Sequence, residues 1–531
     1  MNTSSFAVQQ RSLLLLAALV CVPRFAVVAQ RATCAPSSGA PIIRTTLGAV
    51  QGITLPSGVR AFRGIPFAAP PVRELRWRPP QPAARWQGVR PADRFANQCM
   101  QARVFSDMMF RNSGVSEDCL YLNVWAPSTA RAGSGLPVLV YFFGGGFVAG
   151  DGSEFRYDGE SLARRGIVVV TTSYRLGIFG FFAHAELTAE SPQHASGNYG
   201  LMDQAAALRW VRANVAAFGG DPQRVTIAGE SAGSMSVSAQ MASPLARGLF
   251  ARAIGESGAL FSSSGPMSTR AQMEQSGTRF AESVGAPSLA ALRALSATEL
   301  LEMAGRQGAP RFWPSVDGSF FPQAPAEIYA AGRQAHVPLL AGWNSEESSW
   351  RSLTRLPTSD SATAVLTRVF GERAGEAARY YPARDSVEAT QSLTDLASDR
   401  FIAYSTWKWL DAHAATSGQP VYRYFYARPR PGARGAVHSA EIEYALGNLA
   451  TNKVYAWTPD DEKVSQLMES YFANFIASGD PNGGGLPKWP VGTPGANGDV
   501  QRLRIDVETR AEPEPRARYR FLDQVFAGSH P

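Results

Sequence analysis

Lysine is nearly absent from the 531-residue sequence and occurs at only four positions, Lys408, Lys453, Lys463 and Lys488. The formal net charge of +7 therefore depends on arginine, which is spread along the whole chain. Its densest local group is Arg428, Arg430 and Arg434. Nucleic-acid-binding proteins concentrate basic residues in a stripe or a recognisable module, and the sequence contains neither. We therefore expect no nucleic-acid partner, while a weak attraction to anionic substrates stays open.

Long apolar runs are also missing after the N-terminal segment. No later stretch approaches the roughly 18 consecutive apolar residues that a membrane-spanning helix requires. In the N-terminal segment, Arg11 precedes an apolar run at 13–22, and small residues suited to cleavage end at Ala29. This order predicts a signal peptide over 1–29, with a membrane anchor as the alternative. We therefore expect a secreted or periplasmic protein without stable membrane insertion.

Cysteine and histidine are scarce, with four and six residues respectively. Cys21 lies in the expected signal peptide, which leaves Cys34, Cys99 and Cys119 in the mature chain. No cluster with the spacing of metal ligands stands out among these residue types. The glycine-rich segment 144–149 is not followed by a clean helix start, which argues against a dinucleotide-binding loop. The sequence therefore predicts neither a metal nor a cofactor.

A G-x-S-x-G motif at 229–233 is the most informative pattern that the sequence contains. It follows the apolar run 225–228 and precedes small residues suited to a helix. This order is typical of a nucleophile elbow, in which a sharp turn holds the serine hydroxyl free above a sheet. We therefore take Ser231 as the candidate nucleophile. The motif is short enough to arise by chance, and the segment 255–259 nearly repeats it around Ser257.

A glycine run at 144–146 follows the segment 136–143, which is apolar on both faces, as a buried strand should be. Such a loop can present backbone N–H groups to the negative oxygen that forms during acyl transfer. We expect Gly145 and Gly146 to be two of these donors and Ala232, directly after the candidate nucleophile, to be the third. An ordinary flexible turn is the alternative.

A histidine base is expected far downstream, because α/β-hydrolases carry their catalytic groups in the order serine, acid, histidine. His438 lies in a glycine-rich loop after the candidate strand 421–426. His413 has the spacing of a helix residue, and His530 lies near the end of the sequence. We therefore select His438.

The candidate acid is one of two adjacent glutamates, Glu346 and Glu347, which follow the apolar run 338–343. A carboxylate there can hold the imidazole in its working tautomer and stabilise its protonated form. Taken alone, two neighbouring glutamates are more typical of a solvated loop.

Short apolar runs suited to strands recur along the chain, at 138–142, 167–172, 225–228, 253–257, 339–343 and 421–426. Residues at helical spacing lie between two of them: Leu201, Ala205, Leu208, Val211 and Val215. Helices between strands imply an α/β fold with a mostly parallel central sheet covered by helices. The regions 260–335 and 350–415 look more helical. We interpret them as insertions over the active site of a single domain spanning 30–531.

Together these motifs resemble the type-B carboxylesterase/lipase family, which includes carboxylesterases, cholinesterases and bacterial p-nitrobenzyl esterases. The resemblance runs from about residue 42 to about residue 522. Its further blocks are FRGIPFA at 62–68, SEDCLYLN at 116–123, NYGLMDQ at 198–204, and Asn474, Phe475, Gly479, Pro481, Asn482, Trp489 and Pro490. It implies the α/β-hydrolase fold and a serine esterase that hydrolyses small-molecule carboxylic esters through an acyl-enzyme.

By this resemblance Ser231 is the nucleophile and His438 is the base. The family spacing from Gly342 assigns the acid to Glu347, with Glu346 as a rival. The alternative function is an extracellular binding or adhesion protein on the same fold. Relatives of that kind characteristically lose a member of the triad, whereas all three residues are present here.

The resemblance also implies a disulfide between Cys99 and Cys119, which an exported chain would form in an oxidising compartment. Cys34 is then expected to be a free thiol. Two departures from the family are visible. Phe143 stands before the glycine run, where relatives often have histidine or tyrosine. The region around Met109 lacks the tryptophan with which cholinesterases bind choline, so we do not expect a dedicated cholinesterase.

Overall fold

The computed structural model describes residues 40–261, 266–492 and 499–528. The expected signal peptide, Cys34 and His530 lie outside this part of the chain. Its strands are β1 (Ile42–Arg44), β2 (Ala49–Gln51), β3 (Ile53–Thr54), β4 (Arg60–Pro66), β5 (Val89–Pro91), β6 (Gln98–Cys99), β7 (Val115–Ser116), β8 (Tyr121–Ala126), β9 (Leu136–Phe142), β10 (Val168–Thr172), β11 (Gly220–Glu230), β12 (Arg252–Glu256), β13 (Leu339–Asn344), β14 (Val421–Tyr426), β15 (Gln501–Ile505) and β16 (Arg510–Pro513).

The helices surround these strands and separate most of them in sequence. They are α1 (Glu160–Arg164), α2 (Gly177–Phe181), α3 (Ala185–Glu190), α4 (Tyr199–Asn214), α5 (Ala232–Ala242), α6 (Arg270–Ser283), α7 (Leu289–Ala294), α8 (Ala297–Ala304), α9 (Pro325–Ala330), α10 (Ser359–Phe370), α11 (Ala374–Ala377), α12 (Ser386–Ser398), α13 (Tyr404–Thr416), α14 (Ile442–Ala445), α15 (Pro459–Ser478) and α16 (Arg516–Gly528).

The central sheet has eleven strands in the described residues, in the order β16-β15-β14-β13-β12-β11-β9-β10-β8-β4-β3. All neighbours from β15 to β10 pair in parallel, whereas the pairs at both edges are antiparallel. The mostly parallel sheet covered by helices confirms the predicted fold class. Because parallel strands end at the same edge, the segments that follow β9, β11, β13 and β14 meet there.

The predicted strands agree closely with the observed ones. The predicted strand 421–426 coincides with β14. The strands predicted at the positions of β9, β10, β12 and β13 differ from the observed bounds by one or two residues at an end. The strand predicted at 225–228 is the buried end of a longer strand, β11, which begins at Gly220 and pairs irregularly with β9 before Val225. Polar residues at the start of β11 concealed that extension.

The two regions that looked helical do contain helices, α6–α9 in the first and α10–α13 in the second. Each region places an aromatic ring near the end of the parallel strands. The Phe401 ring lies 5.0 Å from the His438 ring, and the Trp313 ring lies 5.0 Å from that of Phe147, after the glycine run. Both regions therefore reach the part of the molecule that carries the candidate catalytic residues.

None of the helices in the described residues is both long and apolar enough to cross a membrane.

A disulfide joins Cys99 at the end of β6 to Cys119, just before β8. The loop that it closes carries Met108, whose side chain packs next to Gly145. The disulfide therefore restrains a segment that borders the glycine loop.

We predict that replacing Cys99 and Cys119 together by serine lowers the free energy of unfolding by roughly 3 kcal/mol, because the unfolded chain regains the entropy of the open loop. Denaturant titration of the oxidised parent and the double variant measures this difference. Peptide mapping without reductant is the direct check, and a bond from Cys34 to either cysteine would contradict the pairing.

Candidate active site

Ser231 occupies a strained turn between β11 and α5. Its φ is +56° and its ψ is −120°, a conformation that L-residues rarely adopt. The turn closes because the flanking positions lack side chains: a Cβ atom on Gly229 or Gly233 would overlap the carbonyl oxygen of Phe142 in β9. The Ser231 N–H also donates to the Glu256 carbonyl at 2.8 Å, which ties the turn to β12.

The near repeat of the motif forms a second turn of similar shape. Ser257 follows β12 with a φ of +53°, and Gly255 and Glu256 pair in register with Gly229 and Glu230. Ser257 is fully buried, however, and its Oγ donates to Glu441 Oε1 at 3.1 Å. This serine is therefore inaccessible to a substrate.

His438 connects Ser231 to Glu347. Its Nε2 lies 2.9 Å from Ser231 Oγ, and its Nδ1 lies 2.6 Å from Glu347 Oε2. The Glu347 side chain is fully buried, and its other oxygen accepts a hydrogen bond from the Asn344 N–H at 2.6 Å. With a proton on Nδ1, the imidazole offers the lone pair of Nε2 to the serine hydroxyl.

Glu346 faces a different environment from its neighbour. Its backbone N–H donates to the Ala436 carbonyl at 2.9 Å, which joins the acid loop to the histidine loop. Its side chain packs against Gly435 and helps to line a polar cavity of about 410 Å³, together with Arg434 and Arg502. The structure therefore brings Glu347, and not Glu346, to the imidazole.

The glycine loop 144–146 lies directly against the serine turn. A Cβ atom on Gly144 would lie 2.6 Å from a carboxylate oxygen of Glu230, so only glycine permits this approach. Gly145 and Gly146 have φ values of +109° and +61°. Within the described chain, the N–H groups of Gly145, Gly146 and Ala232 donate to no internal acceptor. These three N–H groups are thus unpaired within the described residues.

Phe143, where relatives often carry a polar residue, is held by stacking. Its ring lies 4.2 Å from that of Tyr174 with nearly parallel planes, and the Tyr174 hydroxyl donates to the Phe143 carbonyl at 2.7 Å. The backbone before the glycine loop is therefore fixed without a polar side chain at this position.

Glu230 is a buried carboxylate beside the imidazole. Its Oε1 lies 3.2 Å from His438 Nε2, the same nitrogen that faces Ser231. Burial raises the pKa of Glu230 to about 8. Burial alone would lower the pKa of His438, but Glu230, then Glu347 and Glu441, outweigh it and raise that pKa to about 9. The site therefore stabilises a protonated imidazole.

Glu441, three residues after His438, is fully buried and was not among the residues predicted for the site. The contact of Phe401 with His438 was not predicted either. A buried glutamate in a loop resembles a surface residue in sequence, and only its nearness to His438 could have drawn attention to it. No group of three or more His, Cys, Asp or Glu side chains suited to a metal ion occurs in residues 40–261, 266–492 and 499–528.

Comparison with known proteins gives concordant matches. The model of the carboxylesterase family matches residues 39–521. Fumonisin B1 esterase of Sphingopyxis macrogoltabida is 38% identical over 465 residues, which are 84% of this chain and 83% of that protein. Carboxylesterase 5A of Canis lupus familiaris is 38% identical over 505 residues, 87% of this chain and 85% of the relative.

Solved structures agree with this match. The crystal structure of a carboxylesterase from Geobacillus stearothermophilus at pH 6.2 superimposes with a TM-score of 0.78 at 32% sequence identity. The superposition covers 91% of this chain and 99% of that one.

Proposed function

The chain belongs to the carboxylesterase family and is a carboxylic ester hydrolase, and we propose that it acts through an acyl-enzyme formed on Ser231. In this proposal His438 is the general base and Glu347 is the acid that orients it. The hydrogen-bonded series from Ser231 Oγ through both imidazole nitrogens to Glu347 Oε2 is the observation that carries it. A nucleophile needs such a base within hydrogen-bond distance, and the base needs a partner that fixes its tautomer.

In the first half of the reaction, His438 Nε2 takes the proton of Ser231 Oγ as that oxygen attacks the ester carbonyl carbon. The N–H groups of Gly145, Gly146 and Ala232 stabilise the negative oxygen of the tetrahedral intermediate. The bond to the alcohol oxygen then breaks, and the imidazolium gives its proton to the departing alcohol. The product is an acyl-serine and a neutral imidazole.

In the second half, His438 takes a proton from a water molecule that attacks the acyl carbon. The same N–H donors stabilise the second tetrahedral intermediate. Its collapse breaks the bond to Ser231 Oγ, which recovers its proton from the imidazolium, and releases the carboxylic acid. Glu347 stays ionised and stabilises the imidazolium in both halves.

The substrate is a small-molecule carboxylic ester in this proposal. One relative is named for fumonisin B1, whereas carboxylesterase 5A is named only for the class of reaction. The names therefore support a class of ester and not a single compound. A panel of p-nitrophenyl esters of increasing acyl length, followed by natural esters, ranks the acyl groups by kcat/KM.

We also propose that the mature enzyme is a single domain that acts outside the cytoplasm. The sequence at 1–29 has the order of a signal peptide, and the Cys99–Cys119 disulfide suits an oxidising compartment. The continuous central sheet, which includes strands from β3 near the start to β16 near the end, favours one domain.

We predict that Ser231→Ala abolishes ester hydrolysis and leaves the thermal midpoint nearly unchanged, because only the attacking oxygen is lost. Ser257→Ala is the matched control from the neighbouring turn and should lose no more than about tenfold in kcat/KM. Steady-state assays and thermal melts measure both effects. Labelling with an organophosphate should modify the peptide that contains Ser231, and a label on Ser257 would show the assignment to be wrong.

We predict that Glu347→Gln lowers kcat by several orders of magnitude, because the amide removes the charge that stabilises the imidazolium and can fix the wrong tautomer. The equivalent change in a serine protease costs about 10⁴ in kcat. Glu346→Gln, the adjacent control, should stay within about tenfold of the parent. If Glu346→Gln is the inactive variant instead, the acid has been assigned to the wrong neighbour.

We predict that kcat/KM of the parent falls as the pH falls below about 9, because His438 must be neutral to accept a proton. Glu230→Gln removes the charge with the largest pKa-raising effect on the imidazole. The acid limb of the profile should then move to lower pH, by on the order of one unit. Profiles of kcat/KM against pH measure the shift, and an unmoved limb would exclude Glu230 as its cause.

A further inference from the structure

Asn344 touches both loops that supply the base and the acid. It is the last residue of β13 and is almost fully buried. Its backbone N–H donates to Glu347 Oε1 at 2.6 Å, and its side-chain Nδ2 donates to the Val437 carbonyl at 2.9 Å, one residue before His438. The same Nδ2 also donates to Glu441 Oε2, three residues after His438. One residue thus links the acid to both sides of the histidine.

The contact with Val437 determines how the Asn344 amide is oriented. A carbonyl oxygen can only accept a hydrogen bond, so the NH₂ group of the amide, and not its oxygen, must face Val437. The second hydrogen of that NH₂ group then points at Glu441 Oε2. Because the Asn344 amide donates this hydrogen bond, Glu441 Oε2 must accept it.

Both oxygens of Glu441 therefore accept hydrogen bonds, as those of an ionised carboxylate do. Asn344 donates to one of its oxygens, and the Ser257 hydroxyl donates to the other at 3.1 Å. The side chain is fully buried. The titratable groups that act on it or respond to it come from several elements: Glu347, His438, Glu256, Glu230, Tyr141, Tyr424 and Tyr426.

We propose that Asn344 is a positioning residue that keeps Glu441 ionised beside His438, so that a carboxylate outside the triad helps Glu347 to stabilise the imidazolium. The inference deepens the proposed function and rests on it. Neither Asn344 nor Glu441 touches the reacting atoms in this account. Asn344 acts through Glu441, and Glu441 acts through the imidazole.

The charged groups around Glu441 support this role of Asn344. Burial and the charge of Glu347 raise the pKa of Glu441 to about 7, and the hydrogen bond from Asn344 opposes the rise. Without that donor, protonation of Glu441 becomes easier, because the charged form loses one of its two side-chain partners. A neutral Glu441 no longer stabilises the positive imidazole, and the pKa of His438 falls.

The test compares Asn344→Leu, Glu441→Gln and the double variant with the parent, using hydrolysis of p-nitrophenyl acetate. Leucine keeps the approximate size of asparagine and removes the donor, whereas glutamine keeps the size of glutamate and removes the charge. We expect the acid limb of kcat/KM to move to lower pH in both single variants, by on the order of one unit. KM should change less than kcat.

The double variant should shift the limb no further than the larger single shift, because both changes remove the same carboxylate charge. Glu230→Gln serves as the positive control for a shift caused by a lost charge. Arg90→Gln on β5, which removes a cation stacked on Trp86, serves as the control for an unrelated substitution. Thermal midpoints report whether each variant is folded, and Asn344→Ala replaces Asn344→Leu if the leucine variant does not fold.

A lower kcat with an unmoved acid limb in Asn344→Leu would overturn the proposal, since packing alone changes activity without changing the pKa of the base. Additive shifts in the double variant would overturn it too, because the two residues would then act independently. Ser231→Ala separates this inference from the function on which it rests. If Ser231→Ala remains active, the proposed mechanism fails. If Ser231→Ala is inactive but the acid limb of kcat/KM does not move in Asn344→Leu and Glu441→Gln, only the role of Asn344 is rejected.

Discussion

The close approach of the glycine loop to the turn at Ser231 is the constraint on which the site depends. Three positions without side chains permit it: Gly229 and Gly233 lie against the Phe142 carbonyl, and Gly144 lies against the Glu230 carboxylate. A serine held at positive φ costs of order 1–3 kcal/mol, and this strain persists only where neighbouring structure enforces it. Here β9 and β12 flank β11 on both sides, so the strained turn cannot relax without breaking the middle of the sheet.

Much of this arrangement could be predicted from sequence because it follows from chain order. Parallel strands end at one edge of a sheet, so residues after β11, β13 and β14 meet although more than two hundred positions separate Ser231 from His438. The choice between Glu346 and Glu347 had a weaker basis, since two adjacent glutamates look alike in sequence. Asn344 and Glu441 could not be found in this way, because a buried polar residue has the same appearance in sequence as an exposed one until its partners are known.

Four buried glutamates lie in or beside the site and differ in role because their surroundings differ. They are Glu230, Glu256, Glu347 and Glu441. Negative charges so close together repel one another, and each additional proton relieves the repulsion. Burial, followed by the charges of Glu441 and Glu230, holds the pKa of Glu256 well above its usual range. Glu347 instead accepts a hydrogen bond from a backbone N–H with one oxygen and contacts the imidazole with the other.

The two serine turns show how little separates a nucleophile from a structural residue. Ser231 and Ser257 follow neighbouring parallel strands in equivalent register, and both have φ values near +55°. Backbone strain by itself therefore does not make a nucleophile. The difference lies in what each hydroxyl faces. Ser257 donates to a buried carboxylate and is fully buried, whereas Ser231 faces a basic nitrogen and is 9% exposed. A donor committed to a carboxylate holds its proton, and a donor that faces a neutral imidazole can give it up as its oxygen attacks.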